Sequence, residues 1–178
     1  MLKQSYTEQS AYDFKQGFLR LDGKNTFDEE NFRKILKTLS GIANISPDVR
    51  GYVLVGIADT GDDAKRVREL YKVEPTPFER FFITGVEHEA RALGKNLDTL
   101  LMEIVDKIKR SGLSEPLKDY VARNIKSVRY YDKTVFIFEA QAQSEPSNFE
   151  GEFFVRYGNK VETIPPAKYG EMYKRFLL

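Results

Sequence analysis

The sequence lacks several features that would each identify a class of protein. It contains no Cys, no Trp and a single His. Without cysteine there is no disulfide framework, zinc finger, iron–sulfur site or thiol nucleophile. The 28 basic and 27 acidic side chains give a formal net charge of +1, whereas a strongly basic domain would indicate nucleic-acid binding by charge alone. Any basic binding surface must therefore be a local patch.

Two further absences concern phosphate loops and membranes. No GxxxxGK[ST] or GxGxxG segment occurs, so we expect neither a P-loop nor a nucleotide cofactor. No apolar run approaches the ~20 residues of a membrane span, and the polar start has no secretory signal, so we expect a cytoplasmic protein with no membrane contact. The lone His88 is not accompanied by a nucleophile-elbow motif, which favours a surface or loop histidine over a Ser-His-Asp site.

The residues that are present predict a folded α+β chain. With 178 residues, 41% of them hydrophobic and including 13 Phe and 10 Tyr, residues 1–178 have the size of one domain. We predict a mixed central β-sheet flanked by helices. The predicted elements are strands at 12–19, 51–59 and 81–86, helices after a capping Asp28, at 62–73, after a capping Asp98 and at 115–123, two hairpins within 125–142 and 151–164, and a closing helix after 165–166.

A group of acidic residues lies at the start of the chain and after the central strand. Glu8 precedes the first strand, Asp13 is on it, and Asp59 ends the central strand. If the two strands are adjacent, the three carboxylates come together, and carboxylate oxygens are the ligands that Mg²⁺ prefers. Lys15 lies on the same strand face as Asp13 and would offset charge on a scissile phosphate. The structural alternative is that these acids are exposed at strand ends, with Lys15 in a surface salt bridge.

Basic residues form local clusters beside aromatic ones, a combination that suits a phosphate backbone and stacked bases. The alternative is that these charges form ordinary solvated faces. The candidate contacts to nucleic acid are Arg33, Lys37, Lys126, Arg129, Arg156 and Lys160.

Two separated segments carry a resemblance to a known family. The first runs from Glu8-x-x-x-x-Asp13-Phe14-Lys15, through a helix ending at Ala43-Asn44, to GYVLVGIAD at 51–59. The second runs from VFIFE at 135–139, through Pro146, to FFVRYGN at 153–159. In order and character these segments resemble the Schlafen-type AlbA-like domain over roughly Glu8 to Ile164. The resemblance implies a nucleic-acid-binding α+β fold.

Some members of that family are metal-dependent endoribonucleases. Carried over to the matching positions, the resemblance implies a metal site for Mg²⁺ or Mn²⁺ at Glu8, Asp13 and Asp59, with Lys15 beside it as a catalytic residue. Three departures stand out. Asp13 replaces the usual Glu, the loop 44–51 is longer and keeps one glycine, and the segment 60–98 is long for the family.

These observations lead to three hypotheses. The first is a nucleic-acid-binding domain that cleaves RNA, or less readily DNA, with a divalent metal, in bacterial defence or regulation. The second is a non-catalytic DNA- or RNA-binding module that tethers a partner ATPase or transcriptional regulator. The third is a scaffold that forms homodimers or larger oligomers through exposed Phe and Tyr residues near the C-terminus.

Overall fold

The computed structural model describes residues 11–177, and its centre is a mixed four-stranded sheet. The strand order is β1-β2-β7-β6; β1 and β2 are parallel, and the other neighbours are antiparallel. This confirms the predicted α+β class with a mixed central sheet. The four strands are β1 (Tyr12–Lys15), β2 (Arg50–Val55), β6 (Lys126–Tyr130) and β7 (Lys133–Gln141).

Two small antiparallel sheets accompany the central one. Their orders are β3-β5-β4 and β10-β9-β8. The predicted hairpin with Gly158-Asn159 at its turn is present as β9 and β10. The six strands are β3 (Ile57–Ala58), β4 (Thr76–Phe78), β5 (Phe81–Ile83), β8 (Asn148–Phe149), β9 (Glu152–Tyr157) and β10 (Lys160–Thr163).

Six α-helices are assigned within the described range, and the longest packs on the central sheet. The Asp28 side chain accepts a hydrogen bond from the Asn31 backbone N–H at 3.0 Å, which confirms the predicted cap. The helices are α1 (Glu29–Ala43), α2 (Gly61–Tyr71), α3 (Glu87–Ala92), α4 (Leu97–Lys109), α5 (Leu117–Asn124) and α6 (Tyr169–Lys174).

The two faces of the central sheet bury different partners. On one face Val53 and Phe138 pack into the main core with Ile35, Leu39 and the helical residues around them. On the other, Leu54 and Ile137 pack against residues of the β3-β5-β4 sheet. Because side chains alternate along a strand, Asp13, which pairs with Val53, lies on the α1 side of β1.

Several predicted boundaries were wrong. The expected strand 51–59 is interrupted at Gly56, whose φ of +109° is a conformation that favours glycine. Two residues after this break, Ala58 belongs to a different sheet. The expected strand 12–19 ends at Lys15. Helix α4 is capped by Asn96, which accepts from the Thr99 backbone N–H at 2.8 Å, and not by Asp98.

The segment around His88 also differs from expectation. His88 was expected on the surface or in a loop, but it lies in α3 and is 3% exposed. Its ring packs against that of Tyr71 at an interplanar angle of 44°, with 4.8 Å between the centroids. The short α3 has no side-chain cap, so it gave no start signal in the sequence.

Among residues 11–177, no helix has the length and apolar content that a bilayer crossing requires.

Candidate functional site

Asp13 forms ion pairs with two cationic side chains that belong to different strands. Lys15 Nζ lies 3.0 Å from its Oδ2 and Arg156 Nη2 lies 3.3 Å from its Oδ1. Lys15 is two residues along β1 and therefore on the same face. Arg156 is 143 residues away, on β9. Both carboxylate oxygens of Asp13 are thus engaged by positive charge.

Arg156 is buried, with a side chain only 3% exposed. Its Nε also donates to the Gly158 carbonyl at 2.9 Å. A charge removed from water needs a counter-charge and good hydrogen bonds, and Asp13 and Gly158 provide them. The guanidinium is therefore held in a fixed position beside Asp13.

The β9–β10 hairpin carries Arg156 and packs against α1 through a specific contact. The buried Asn44 side chain donates to the Ser147 and Phe154 carbonyls and accepts from the Ser147 N–H, each at 2.8 Å. One turn earlier, a Cβ on Gly41 would lie 3.4 Å from the Arg156 backbone N. Asn44 belongs to the segment that carries the family resemblance, but its role in positioning the hairpin was not foreseen.

Asp59 follows β3 and lines the same cleft as Asp13. This cleft, which we call the carboxylate cleft, has a volume of about 220 Å³. Asp59 is exposed, whereas Asp13 is half-buried. The structure therefore brings these two predicted acids to one cleft. Its lining residues are Tyr12, Asp13, Phe14, Asp59, Arg80, Phe81, Arg156 and Asn159.

A divalent metal would find two carboxylates in the described part of this cleft. Glu8, the third predicted ligand, lies outside the described residues. Within residues 11–177 no group of three or more His, Cys, Asp or Glu side chains is placed to hold a metal ion. The oxygen donors of Asp13 and Asp59 fit a hard cation in type. A complete site needs a further ligand such as Glu8.

The carboxylate cleft opens into a longer groove along the exposed side of α1. Three more clefts, of about 180, 200 and 310 Å³, follow it one after another in space, and each shares lining residues with the one before it. We call the four together the α1 groove and the last one the distal cleft. The shared wall residues are Asp13, Arg156 and Asn159, then Lys34 and Lys37, then Arg33, Phe149 and Glu150.

Positive charge exceeds negative charge in the α1 groove. Among the described residues eight cationic and six acidic side chains line it. Lys37 Nζ sits 4.5 Å from the centroid of the Phe154 ring, and the Arg33 guanidinium sits 5.8 Å from that of Phe149. Arg33 also pairs with Glu150, and this hydrogen bond raises the pKa of Arg33 and lowers that of Glu150. The groove is a modestly basic channel with aromatic rings behind two of its cations.

The remaining predicted basic residues lie outside the lining of the groove. Lys126 and Arg129 are on β6, the opposite edge strand, three strand spacings or about 14 Å from β1. Lys126 approaches Glu139 at 3.9 Å. Lys160 is exposed on β10 next to Asn159. The structure brings Arg33, Lys37 and Arg156 together and separates the other three from them.

The groove contains residues that sequence reasoning did not single out as site residues. Thr38, Arg80 and Asn159 are wall residues near the carboxylate cleft, and Lys107 and Arg110 line the distal cleft. Two signals were available: Asn159 ends the FFVRYGN segment of the family resemblance, and Lys107 and Arg110 belong to a local cluster of basic residues in the sequence. The others come from elements that only the fold brings together.

Comparison with known proteins gives a family and a structural neighbour. A model of the family described as Schlafen, AlbA_2 matches residues 8–165. Among solved structures, the crystal structure of the DIP2311 protein from Corynebacterium diphtheriae matches with a TM-score of 0.53 and 19% identity, over 95% of this chain and 24% of that chain. This chain spans about a quarter of that protein, and the likeness concerns the fold alone. No curated protein matches.

Proposed function

The chain belongs to the Schlafen AlbA_2 family, which relates it to nucleic acids, and from this premise we propose that it binds a nucleic-acid strand in the α1 groove. The observation that supports this most strongly is the continuity of the groove. Basic side chains from α1, β1 and β9 follow one another along it and lead to the Asp13–Asp59 pair. A phosphate backbone is the polyanion that such a path fits.

Within this proposal, different cations contact phosphate groups at different positions along the groove. Arg156 and Lys15 meet at Asp13 and together exceed its charge by one positive unit. Lys34 and Lys37 extend this positive charge along α1. The Phe154 and Phe149 rings under Lys37 and Arg33 are almost completely buried, so they mainly support the cations and leave little ring surface open to a base. Binding should therefore depend little on sequence and fall steeply with salt.

The finer proposal is phosphodiester cleavage at the carboxylate cleft, with RNA as the preferred substrate. Glu8, Asp13 and Asp59 would hold Mg²⁺ or Mn²⁺, which supplies Lewis-acid stabilisation of the scissile phosphate and an activated water. Lys15 would contact the phosphate and offset its charge. Arg156 would keep the backbone positioned.

The test compares cleavage and binding in matched proteins. Labelled tRNA, single-stranded RNA and DNA are incubated with Mg²⁺, Mn²⁺ or EDTA, using the native chain and the triple variant Glu8→Gln, Asp13→Asn, Asp59→Asn. The amides keep the side-chain size. A matched control carries Asp62→Asn, Glu69→Gln, Glu74→Gln, three exposed acids outside the groove. Cleavage that needs metal, persists in the control and disappears in the site variant supports the nuclease.

A second candidate function is a non-catalytic binding module. It is favoured by one observation, the pairing of both Asp13 oxygens with Arg156 and Lys15, because a carboxylate neutralised by two cations attracts a metal ion less. Under this function the same experiment gives salt-sensitive binding without cleavage in all three proteins. Absence of binding to every strand at low salt would contradict both functions.

A further inference from the structure

The distal cleft lies at the end of the α1 groove away from Asp13. Its volume is about 310 Å³, at the lower end of small-molecule sites, which begin near about 300 Å³. Phe32, Leu36 and Phe149 contribute apolar surface, and all three are otherwise buried in or against the main core. Each of these side chains is at most 4% exposed, so the cleft combines a small apolar floor with a polar rim.

The charges on the rim do not cancel. Arg33 pairs with Glu150, and Lys107 Nζ lies 2.6 Å from Glu29 Oε1. These ion pairs neutralise four of the five charged side chains that line the cleft. The fifth is Arg110, which is exposed and whose guanidinium has no ion pair or hydrogen bond with another described residue. An available guanidinium above an apolar floor suits a planar apolar group that carries an anion.

The spacing between the two ends of the groove suits a short stretch of one strand. Gly41 packs against the backbone of Arg156, and Glu29 borders the distal cleft. Twelve residues of helix separate them, which is about 18 Å at 1.5 Å per residue. A stacked strand advances about 3.4 Å per nucleotide, so about five nucleotides cover this distance.

We infer that the distal cleft is a subsite for one unpaired nucleotide of the strand bound in the α1 groove, with its base against the apolar floor and its phosphate on Arg110. This rests on the proposed function. A base inside a duplex is paired and stacked, and cannot enter a cleft without leaving the helix. The substrate class is therefore a nucleic acid with a single-stranded segment of at least about five nucleotides next to the phosphate at Asp13.

The test combines strand length with two neighbouring substitutions. Arg110→Ala removes the proposed contact, and Lys109→Ala removes the same charge from an adjacent exposed residue that does not line the groove. Affinity is measured in EDTA for homopolymer strands of about 4 and about 12 nucleotides and for a duplex of the longer length. Thermal melting checks that both variants fold.

The long single strand should bind Arg110→Ala about 5- to 10-fold more weakly than the native chain, since one charge-assisted phosphate contact and the position of one base are lost. For the short strand and for the duplex, the affinity of each variant should lie within about twofold of that of the native chain. A short strand bound at Asp13 does not extend to the distal cleft, and a duplex does not place an unpaired base in it. Equal losses for the two variants, or an Arg110→Ala loss that is as large for the short strand and the duplex as for the long single strand, would overturn the subsite alone. No binding of any strand to the native chain would overturn the proposed function as well.

Discussion

Two buried ionisable centres flank the first strand, and they are stabilised in different ways. Arg156, on β9 and in contact with β1, has the carboxylate of Asp13 as its counter-charge. Glu89, beyond the end of β1, is 1% exposed and has no cationic partner among the described residues. Its carboxylate accepts instead from the backbone N–H groups of Phe18 and Leu19, at 2.8 and 2.5 Å for Oε2.

The difference has consequences for protonation and for role. Burial raises the pKa of Glu89 to about 8, against the two backbone donors, which lower it. Glu89 serves the fold, because it anchors the segment that connects β1 to α1. The Asp13–Arg156 centre lies at a cleft and belongs to the candidate site. A buried charge with a counter-ion at a cleft and a buried acid that holds its proton up to pH about 8 among backbone donors are therefore distinct situations.

The largest expected effect is the loss of the Glu89 anchor. Glu89→Ala leaves two buried N–H groups without acceptors, each costing about 1–3 kcal/mol. We expect the free energy of unfolding to fall by about 4 kcal/mol, measured by urea denaturation. Glu89→Gln retains an acceptor oxygen and should lose less than half as much. Equal losses for the two variants would show that the backbone contacts are unimportant.

The second prediction is an asymmetry within the Asp13–Arg156 pair. Asp13→Ala leaves a buried guanidinium without a counter-ion, and breaking a buried pair in this way costs about 3 kcal/mol. Arg156→Ala leaves Asp13 with Lys15 and partial exposure to water, so we expect a loss of about 1–2 kcal/mol. Both are measured by urea denaturation at one pH. A larger loss for Arg156→Ala would contradict this account.

The third prediction is a pH dependence that comes from Glu89. The folded state binds a proton up to pH about 8 and the unfolded state only up to its ordinary pKa of 4.5. Between these values the folded state binds more protons, so stability falls as pH rises. Over pH 6.5 to 8 the fall should be on the order of 2 kcal/mol, and Glu89→Gln should remove it.

His88 makes stability depend on pH in the opposite direction, and its titration sets the lower limit of the pH range in which Glu89 is measured. Burial, with a smaller contribution from Arg91, lowers the pKa of His88 to about 4. Between that value and 6.5 only the unfolded state takes up the proton, so this contribution to stability is lost as pH falls. Measurements above pH 6.5 therefore isolate Glu89. A native chain whose stability matches that of Glu89→Gln across the window would contradict the raised pKa.

The smallest effect on stability is expected at Lys37. Its ammonium rests over the Phe154 ring, and such contacts at partly exposed sites contribute about 0.5–1 kcal/mol. Lys37→Ala should therefore leave the fold almost unchanged while reducing the slope of log affinity against log salt for an oligonucleotide by about one. Lys126→Ala, on the opposite edge of the sheet, is the matched control and should leave the slope unchanged if the α1 groove is the binding surface.

Much of the fold follows from local patterns. The alternation around Asp13 and the cap at Asp28 are short-range signals, and both predictions were confirmed. The interruption at Gly56 was missed, because an apolar run does not show where a chain leaves one sheet for another. The change of direction between β2 and β3 depends on the positive φ of Gly56. The cap of α4 was misplaced by two residues, since Asn96 and Asp98 are both good capping residues.

In the candidate site, too, the features that depend on local sequence could be predicted and those that depend on the fold could not. By itself the sequence determined the parts that depend on neighbours in the chain, namely the α+β class, the position of Asp13 and Lys15 on one strand face, and the basic surface of α1. Only the tertiary structure decided that Arg156 meets Asp13 and that Phe149 and Arg110 complete one groove with α1. The physical reason is that periodicity and capping act over a few residues, whereas these contacts join residues far apart in the chain, which only packing of the whole core brings together.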